Sequence, residues 1–345
     1  LAQMFHKDEK KMKIIKDLRE IKRDEKSVIT LGTFDGLHLG HQQIVDTVIQ
    51  KSRQSGGRSF LLTFDPHPRK VIPGRNDVKI LSTLDEKAII LDQIGLEYLF
   101  VINFTEEFSR QTPEEFVKKY LVDGIGLKEV VIGYDHHFGK GRDGNFHILQ
   151  ELGNKFSFAV TLIPEYSVEG ETISSTKIRN SLLAGDVVKA GKMLGRLYSF
   201  KGKIVRGDGR GRKLGFPTAN LSVENEDKLI PAKGIYTAEC IVENEKHYGL
   251  LSLGSRPTFH KDGDVIPEFY IFDFDRDIYD KIMQVNMVVK IRDEEKFNSV
   301  DELIIQMKKD ERRNAVNGKS VVYIYHDVID KSGESEITDF FADCE

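Results

Sequence analysis

The sequence is poor in cysteine and has no long apolar run, and each shortage excludes a class of protein. Its 345 residues include only two cysteines, Cys240 and Cys344. They lie far apart along the chain, so a disulfide framework is implausible and a reducing compartment fits. No apolar run reaches transmembrane length, and the charged N-terminal segment lacks the apolar core of a secretion signal. We therefore expect a cytoplasmic protein with no membrane partner.

The charge balance gives no sign of a nucleic-acid partner. Lysine and arginine number 51 against 55 aspartate and glutamate, a formal net charge of −4, so no global basic field would attract a polyanion. Hydrophobic residues make up 39% and charged residues 31% of the chain, which is typical of a globular protein. The length fits two domains of ordinary size, and nothing in the sequence indicates an oligomeric state.

Strand-like and helical segments alternate in the first half of the chain, which predicts a parallel sheet with helices on both faces. The predicted strands are Ser27–Phe34, Ser59–Phe64, Tyr98–Phe104, Glu129–Asp135 and Phe158–Pro164. The predicted helices between them are His41–Gln54, Asp85–Ile94, Pro113–Leu121 and roughly His147–Lys155. Two short helices then follow, Ser175–Leu183 and Asp186–Leu194. Ligands of such sheets bind beyond the carboxyl ends of the strands, so we expect a site there.

From Tyr198 onward, strand-like runs follow one another without long helices, which predicts an antiparallel barrel or sandwich. These runs are Ser199–Val205, Gly234–Val242, Tyr248–Leu253, Pro267–Phe274 and Gln284–Ile291, followed by a helix from Val300 to about Arg312. We place the boundary near Arg196, giving domains 12–195 and 196–313. Residues 314–345 hold one strand-like run, Val321–His326. Either a docking strand or a disordered tail fits this extension, and its role is unknown.

Two histidines mark the first candidate site. His38 and His41 follow the first predicted strand and precede a helix whose apolar residues share one face. Those apolar residues are Ile44, Val45, Val48 and Ile49. Free N–H groups and the positive end of the helix dipole favour an anion at this turn. Two imidazoles there suggest charge stabilisation on a nucleotide triphosphate. A pair of surface or capping histidines is the alternative.

A second polar segment, ISSTKIRNSLL from Ile173, combines hydroxyls at a helix start with a guanidinium one turn later. Ser174, Ser175 and Thr176 are good N-cap residues, and Arg179 follows on the same helix. This arrangement can hold a polyphosphate. An ordinary capped helix with a surface arginine is the alternative.

A glycine-rich segment, RGDGRGRKLGFPTANL, begins the second domain at Arg206. Its four glycines predict a flexible loop whose N–H groups can surround phosphates, although a plain hairpin loop is also possible. These glycines are Gly207, Gly209, Gly211 and Gly215. The residues that follow, Phe216–Asn220, predict a rigid turn. This turn presents the Thr218 hydroxyl and the Asn220 amide, hard oxygen ligands that suit Mg²⁺ with phosphate.

Two further patterns are weak. Gly139–Gly144 spells GxGxxG but does not directly follow its strand, so we expect a flexible loop rather than a dinucleotide fingerprint. His136 and His137 are adjacent without a third spaced ligand, which argues against a metal site.

Taken together, these motifs resemble those of the bacterial bifunctional riboflavin kinase/FAD synthetase family. GTFDGLHLGH, FDPHPRKVI, GYDHHFGKGRDGN and ISSTKIR are similar to its FMN adenylyltransferase half. GRKLGFPTANL, GSRPTF, EFYIFDFDRDIY and IRDEEKFNSVDEL are similar to its riboflavin kinase half. The resemblance covers roughly Met12 to Arg312. It implies an N-terminal Rossmann-like parallel sheet of the HxGH nucleotidyltransferase type and a C-terminal six-stranded antiparallel riboflavin kinase barrel.

The resemblance also implies roles for individual residues. In the adenylyltransferase, the ATP-binding residues would be Gly32, Phe34, His38, His41, Ser175 and Arg179, with both histidines catalytic. In the kinase, ATP would be bound by Gly209, Gly215, Phe216, Thr218 and Asn220, and the last two would also hold Mg²⁺. Flavin would be bound by Asp65, Asp135, Arg292 and Glu295. Glu268 would be the base that takes the proton of the ribityl 5′-hydroxyl.

The implied activity is two-step flavin cofactor synthesis. ATP and riboflavin would give FMN and ADP, and ATP and FMN would then give FAD and pyrophosphate, both with Mg²⁺. The chain departs from the family pattern where His136 replaces an aromatic residue, where Tyr270 replaces a histidine, and where Arg276 and Asp280 replace glycines. Two alternatives therefore stay open: an enzyme with one of the two activities, and a flavin- or nucleotide-binding regulator without turnover.

Overall fold

The structure, a computed structural model, describes residues 11–72, 78–134, 136–207, 209–254, 265–313, 315–316 and 319–320. The chain separates into two compact units that divide after Ser175. The second unit thus includes most of the two short helices that we placed before Arg196, and the second of these packs against the barrel strands. The functional limits 12–195 and 196–313 stay predictions.

The first unit is built on a six-stranded parallel sheet in the order β1–β4–β3–β2–β5–β6. Its strands are β1 (Lys13–Ile15), β2 (Val28–Leu31), β3 (Ser59–Asp65), β4 (Tyr98–Asn103), β5 (Glu129–Gly133) and β6 (Ala159–Ile163). Its helices are α1 (Leu39–Ser55), α2 (Pro68–Val71), α3 (Leu84–Ile94), α4 (Pro113–Phe116), which continues in wider turns over Val117–Ile125, and α5 (Phe146–Phe156). A small hairpin, β7 (Ser167–Val168) and β8 (Glu171–Thr172), follows β6.

Both faces of this sheet are buried, as the alternation of segments predicts. Successive residues of a strand point to opposite faces, and the two faces have separate apolar cores. Ile29 and Phe60 belong to the core that includes α5, whereas Val28 and Leu61 belong to the core under α1 and α3. The predicted parallel sheet covered on both faces is therefore confirmed.

The first predicted strand is too long. Ser27–Phe34 contains regular strand only over β2, because Gly32 (φ 156°) and Phe34 (φ 45°) leave extended geometry. The pattern also gave no indication of β1, a three-residue edge strand paired with β4. Three residues are too few for the alternation of apolar and polar positions to be recognised.

The second unit contains a closed antiparallel barrel in the order β10–β13–β12–β11–β14–β9. After α6 (Ser175–Ala184) and α7 (Val187–Leu194), its elements are β9 (Tyr198–Val205), α8 (Arg210–Lys213), β10 (Thr218–Val223), β11 (Gly234–Val242), β12 (Glu245–Gly254), β13 (Ile266–Ile271), β14 (Ile282–Arg292) and α9 (Val300–Arg313). A short pair, β15 (Ala315–Val316) and β16 (Lys319–Ser320), follows. The barrel alternative is confirmed, and Val321–His326 lies outside the described residues.

The prediction of a rigid turn over Phe216–Asn220 is wrong from Thr218 onward. These residues begin β10, which pairs with β13 on one side and β9 on the other. Pro217 stands just before the strand, so its missing N–H removes no bond from the barrel ladder. Leu221 is buried inside the strand. The segment is therefore the sixth barrel strand, which the hydrophobic pattern alone does not show.

Candidate functional sites

The imidazoles of His38 and His41 lie together at the start of a 17-residue helix. His38 is the N-cap of α1, and its Nδ1 accepts a hydrogen bond from the backbone N–H of His41 at 3.3 Å. The two rings stack with 3.6 Å between centroids and 17° between planes. Phe34 packs against His41 from the other side, with 4.9 Å between ring centroids. The predicted strand-to-helix turn is confirmed, and His38 also caps the helix.

The loop before this helix is held by a buried carboxylate. Asp35 is 3% exposed and accepts hydrogen bonds from the backbone N–H groups of Leu81 at 2.9 Å and Ser82 at 3.1 Å. The Ser82 hydroxyl in turn accepts from the Gly36 N–H at 2.9 Å. Phe34 and Leu37 have φ values of 45° and 42°, conformations that cost non-glycine residues energy. The bonds to residues 81 and 82 keep the loop in this strained form.

Ser175 connects the second polar segment to the same loop. Its hydroxyl donates to the backbone carbonyl of Asp35 at 2.9 Å, although the two residues are far apart in sequence. Ser175 is also the first residue of α6, and Arg179 lies one turn further along that helix. The structure thus brings Ser175 into contact with the loop that precedes the imidazole turn.

Gly32 leaves room beside the imidazole turn. A Cβ atom at Gly32 would lie 3.3 Å from the Phe34 ring and 3.9 Å from the imidazole Cε1 of His136. His136, which stands where the family has an aromatic residue, stacks on Phe138 with 5.6 Å between ring centroids.

Of the two aspartates of this unit assigned to flavin, Asp65 is exposed at the end of β3. Asp135 lies outside the described residues.

In the barrel, Thr218 and Glu268 meet across neighbouring strands. The Thr218 hydroxyl donates to Oε2 of Glu268 at 3.3 Å, and Asn220 is the register partner of Glu268. Gly207 faces the Asn220 side chain so closely that a Cβ there would lie 2.3 Å from its amide nitrogen. The hydroxyl, the amide and the carboxylate therefore form one cluster of oxygen-bearing side chains.

The glycine-rich loop contains a helical turn rather than only flexible backbone. Gly209 (φ 67°) precedes α8, and Gly215 (φ 85°) follows it. The N–H of Phe216 donates to the carbonyl of Gly211 at 2.9 Å. The Phe216 ring is buried and packs edge-on against Tyr270 with 5.3 Å between centroids. This contact brings the loop to the strand that carries Glu268.

Tyr270 and Glu311 form a contact that the sequence did not reveal. The Tyr270 hydroxyl lies 3.5 Å from Oε1 of Glu311 on α9. Burial, followed by the nearby Glu311 carboxylate, raises the pKa of Tyr270, so the phenol stays protonated and acts as the donor. The residue that replaces the family histidine therefore connects the barrel to its C-terminal helix.

Arg292, assigned to flavin on resemblance, makes a buried ion pair. Its guanidinium donates from Nε and Nη2 to Oδ2 of Asp310 at 2.9 and 2.8 Å, and the Asp310 side chain is only 2% exposed. The Gln306 amide also donates to this carboxylate at 2.8 Å. Glu295, by contrast, is exposed in the segment after β14. The structure thus places Arg292 at the junction of β14 and α9 and Glu295 on the surface.

The donor chemistry of the barrel cluster fits Mg²⁺ bound together with a nucleotide. Among the residues described, no three His, Cys, Asp or Glu side chains are grouped so as to hold a metal ion. Thr218, Asn220 and Glu268 offer hard oxygen atoms, and Mg²⁺ is commonly held by few protein oxygens plus substrate phosphates.

As for the membrane, the part of the chain that the structure describes has no helix long and apolar enough to span it.

Two family models match the chain, one in each half. Residues 20–177 match the model described as FAD synthetase, and residues 194–316 match the model described as riboflavin kinase. The first match includes His38, His41 and Ser175 and ends just before Arg179. The second includes Thr218, Asn220 and Glu268.

Similar proteins cover most of the chain. A protein of Listeria monocytogenes named bifunctional riboflavin kinase/FMN adenylyltransferase is 40% identical over 84% of this chain and 91% of its own. Proteins of the same name from Bacillus subtilis and Escherichia coli K12 are 35% and 32% identical, over 83% and 87% of this chain and 91% and 96% of theirs. A crystal structure titled macrolide-efflux protein from Streptococcus pneumoniae superposes with a TM-score of 0.78 at 33% identity. It covers 87% of this chain and 97% of that one.

Proposed function

Because the chain belongs to the family of bifunctional riboflavin kinase/FMN adenylyltransferases, we propose that it makes FAD in two steps at two separate nucleotide sites. The barrel phosphorylates riboflavin to FMN with ATP. The parallel-sheet unit transfers the adenylyl group of a second ATP to FMN and releases pyrophosphate. The observation that carries this function is that one chain holds both side-chain clusters, each in the fold of the matching family.

For adenylyl transfer, the FMN phosphate attacks the α-phosphorus of ATP in line and pyrophosphate leaves. No covalent enzyme intermediate is needed, so catalysis comes from alignment and charge stabilisation. We assign ATP binding to Gly32, Phe34, His38, His41, Ser175 and Arg179. The stacked imidazoles at the N-terminus of α1 support this assignment, because the start of a helix favours a bound anion.

For riboflavin phosphorylation, the ribityl 5′-hydroxyl attacks the γ-phosphorus of ATP and ADP leaves. We assign Glu268 as the base that takes the hydroxyl proton. We assign ATP binding to Gly209, Gly215, Phe216, Thr218 and Asn220. The 3.3 Å contact between the Thr218 hydroxyl and Glu268 supports placing the base beside the nucleotide residues. The transfer itself depends mainly on positioning and charge.

Mg²⁺ would be held by Thr218 and Asn220 and, when bound, would neutralise phosphate charge and orient the transferred group. Flavin binding is assigned to Asp65, Asp135, Arg292 and Glu295. We also propose a cytoplasmic location and no nucleic-acid partner, in keeping with the two cysteines and the net charge of −4.

The experiment that tests the function uses the purified full chain. Incubation with riboflavin, ATP and Mg²⁺, followed by chromatographic separation of flavins, should give both FMN and FAD. FMN alone, or FAD formed only from supplied FMN, would indicate a single activity. If neither riboflavin nor FMN gave a product, the result would support the alternative of a flavin- or nucleotide-binding regulator without turnover. Chelation of Mg²⁺ should stop both steps, and added Mg²⁺ should restore them.

A further inference from the structure

We propose that Lys87 is a positioning residue for adenylyl transfer, whose buried ammonium group fixes the backbone of the loop that carries His38 and His41. This inference rests on the proposed function of the first unit. No sequence motif includes Lys87, and the mechanism above does not use it. It lies on α3, beneath the carboxyl ends of β2 and β3.

The ammonium group connects three separate elements of the chain. The Lys87 Nζ donates to the backbone carbonyl of Thr33 at 2.6 Å and to the Thr63 hydroxyl at 3.2 Å. The Thr63 hydroxyl donates to the same Thr33 carbonyl at 3.2 Å. Thr33 is in the loop after β2, and Thr63 is in β3. One side chain of α3 therefore ties that loop to the neighbouring strand.

The burial of this lysine indicates that its charge has a purpose other than packing. Lys87 is 6% exposed. Burial lowers its pKa, while the carboxylates of Asp35 and Asp65 act in the opposite direction. An apolar side chain of similar length would fill the space without the cost of burying an ammonium group. What the lysine adds is a donor that reaches the Thr33 carbonyl and a positive charge near two carboxylates.

The Thr33 carbonyl is a sensitive point for the site. The next residue, Phe34, adopts positive φ and packs on His41, and Asp35 receives the Ser175 hydroxyl at its carbonyl. Loss of the Lys87 bond would let the start of the loop shift while its later bonds to residues 81 and 82 remain. A misplacement of about 1 Å can cost about 100-fold in rate. The expected damage is to alignment, not to binding.

The test compares K87M, which keeps the length of the side chain, with K51M as a matched control. Lys51 is on α1 and pairs with Glu129 at 2.7 Å near the surface. We expect K87M to lower kcat for FAD formation by about 10-fold to 100-fold, with the KM values for ATP and FMN within about twofold. FMN formation from riboflavin by the same preparation should be unchanged. K51M should match the unmodified chain in both reactions.

The variant T63V separates positioning from general support of the fold. It removes the second hydrogen bond to the Thr33 carbonyl, and with it the acceptor of one Lys87 bond, but it keeps the bond from Lys87 to the Thr33 carbonyl. If both groups act through that carbonyl, the rate loss of K87M/T63V should be smaller than the product of the single losses. Independent, multiplying effects would contradict a shared role.

Two other results would overturn the inference. One is a normal FAD rate in K87M. The other is an equal loss of both activities in a K87M chain that stays folded at the assay temperature, because a role confined to the loop of the first unit predicts no loss of FMN formation. If the unmodified chain made no FAD from FMN, the proposed function itself would fall, which distinguishes that failure from failure of the role of Lys87.

Discussion

The imidazole ring of His38 lies almost flat against that of His41, 3.6 Å away between centroids, and its Nδ1 accepts the backbone N–H of the same partner. Each ring therefore limits the orientation of the other. Residues that act as a unit show rate losses that do not multiply. We therefore expect the rate losses caused by substituting His38 and His41 not to multiply.

Replacing His41 by alanine should abolish most FAD formation and leave FMN formation intact. Losing one donor to a developing phosphoryl charge typically costs about 3 kcal/mol, or roughly 100-fold to 1,000-fold in kcat. Flavin chromatography on one preparation measures both reactions. H147A, which replaces an exposed histidine on α5, is the control and should leave both activities unchanged. A folded H41A chain that lost both activities in parallel would contradict the division into two sites. Because the two imidazoles act as a unit, H38A/H41A should form FAD only slightly more slowly than H41A.

The variant E268Q should lower riboflavin kinase turnover by about 100-fold or more, because an amide cannot take the hydroxyl proton. Its side-chain oxygen can still accept from Thr218, so the barrel and ATP binding should persist. FAD formation from supplied FMN should continue at the normal rate. E245Q, on the exposed part of β12, serves as the matched control. A normal kinase rate in E268Q would remove Glu268 from the mechanism.

Breaking the ion pair between Arg292 and Asp310 should destabilise the barrel. Removing one partner of a buried pair commonly costs about 3–5 kcal/mol, so D310N should lower the midpoint of barrel unfolding. R276M breaks the exposed pair with Glu245 and should leave the midpoint almost unchanged. A D310N chain as stable as the original would show that the pair is not needed.

The same substitutions test the flavin assignment of Arg292. If the guanidinium contacts riboflavin, R292M should raise the KM for riboflavin more than D310N does, since D310N keeps the guanidinium. Equal KM values in the two variants would confine Arg292 to its structural contact with α9.

Cys240 should make the barrel less stable as the pH rises. Burial, and after it the Glu239 carboxylate, raises the pKa of this thiol to about 12, whereas an unfolded thiol titrates near about 8.5. The unfolded state therefore releases its proton first. The contribution is fully present below the unfolded pKa and is lost as the pH rises towards the folded one.

Denaturant unfolding at several pH values measures this effect. Between pH values of about 9 and 11, C240A should lose stability less steeply than the unmodified chain, by up to about 1.4 kcal/mol per pH unit. The comparison of slopes removes the constant cost of the smaller side chain. In a C344S background, alkylation of Cys240 at pH 8 should also be slow until the barrel unfolds. Identical slopes would contradict the raised pKa.

Much of the fold could be predicted from the sequence because the apolar patterns are long. The buried face of α1, for example, consists of the apolar residues that helical spacing selects. The start of β10 was missed because Pro217 and the polar residues Thr218 and Asn220 hide a strand that pairs on both edges. Register partners contributed by β9 and β13 decide this segment, and they are distant in sequence.

The motifs located the candidate sites, but not the groups that support them. Lys87 follows Leu84 by three residues and precedes Leu91 by four, a spacing that places a lysine on the apolar face of α3. Asp310 is likewise a charged residue on the buried side of α9, which faces the barrel. A charged residue at a position expected to be apolar was the available signal in both cases. Which carbonyl or guanidinium it meets depends on tertiary contacts that no local pattern contains.

Helix α9 reaches the barrel through two neighbouring residues near its end, Asp310 toward Arg292 on β14 and Glu311 toward Tyr270 on β13. Any shortened version of this polypeptide intended to retain the barrel must therefore extend past Glu311. A truncation only one helical turn earlier would delete both attachments at once, leave a guanidinium without its counter-ion, and release the strand that carries Glu268 from its outer support.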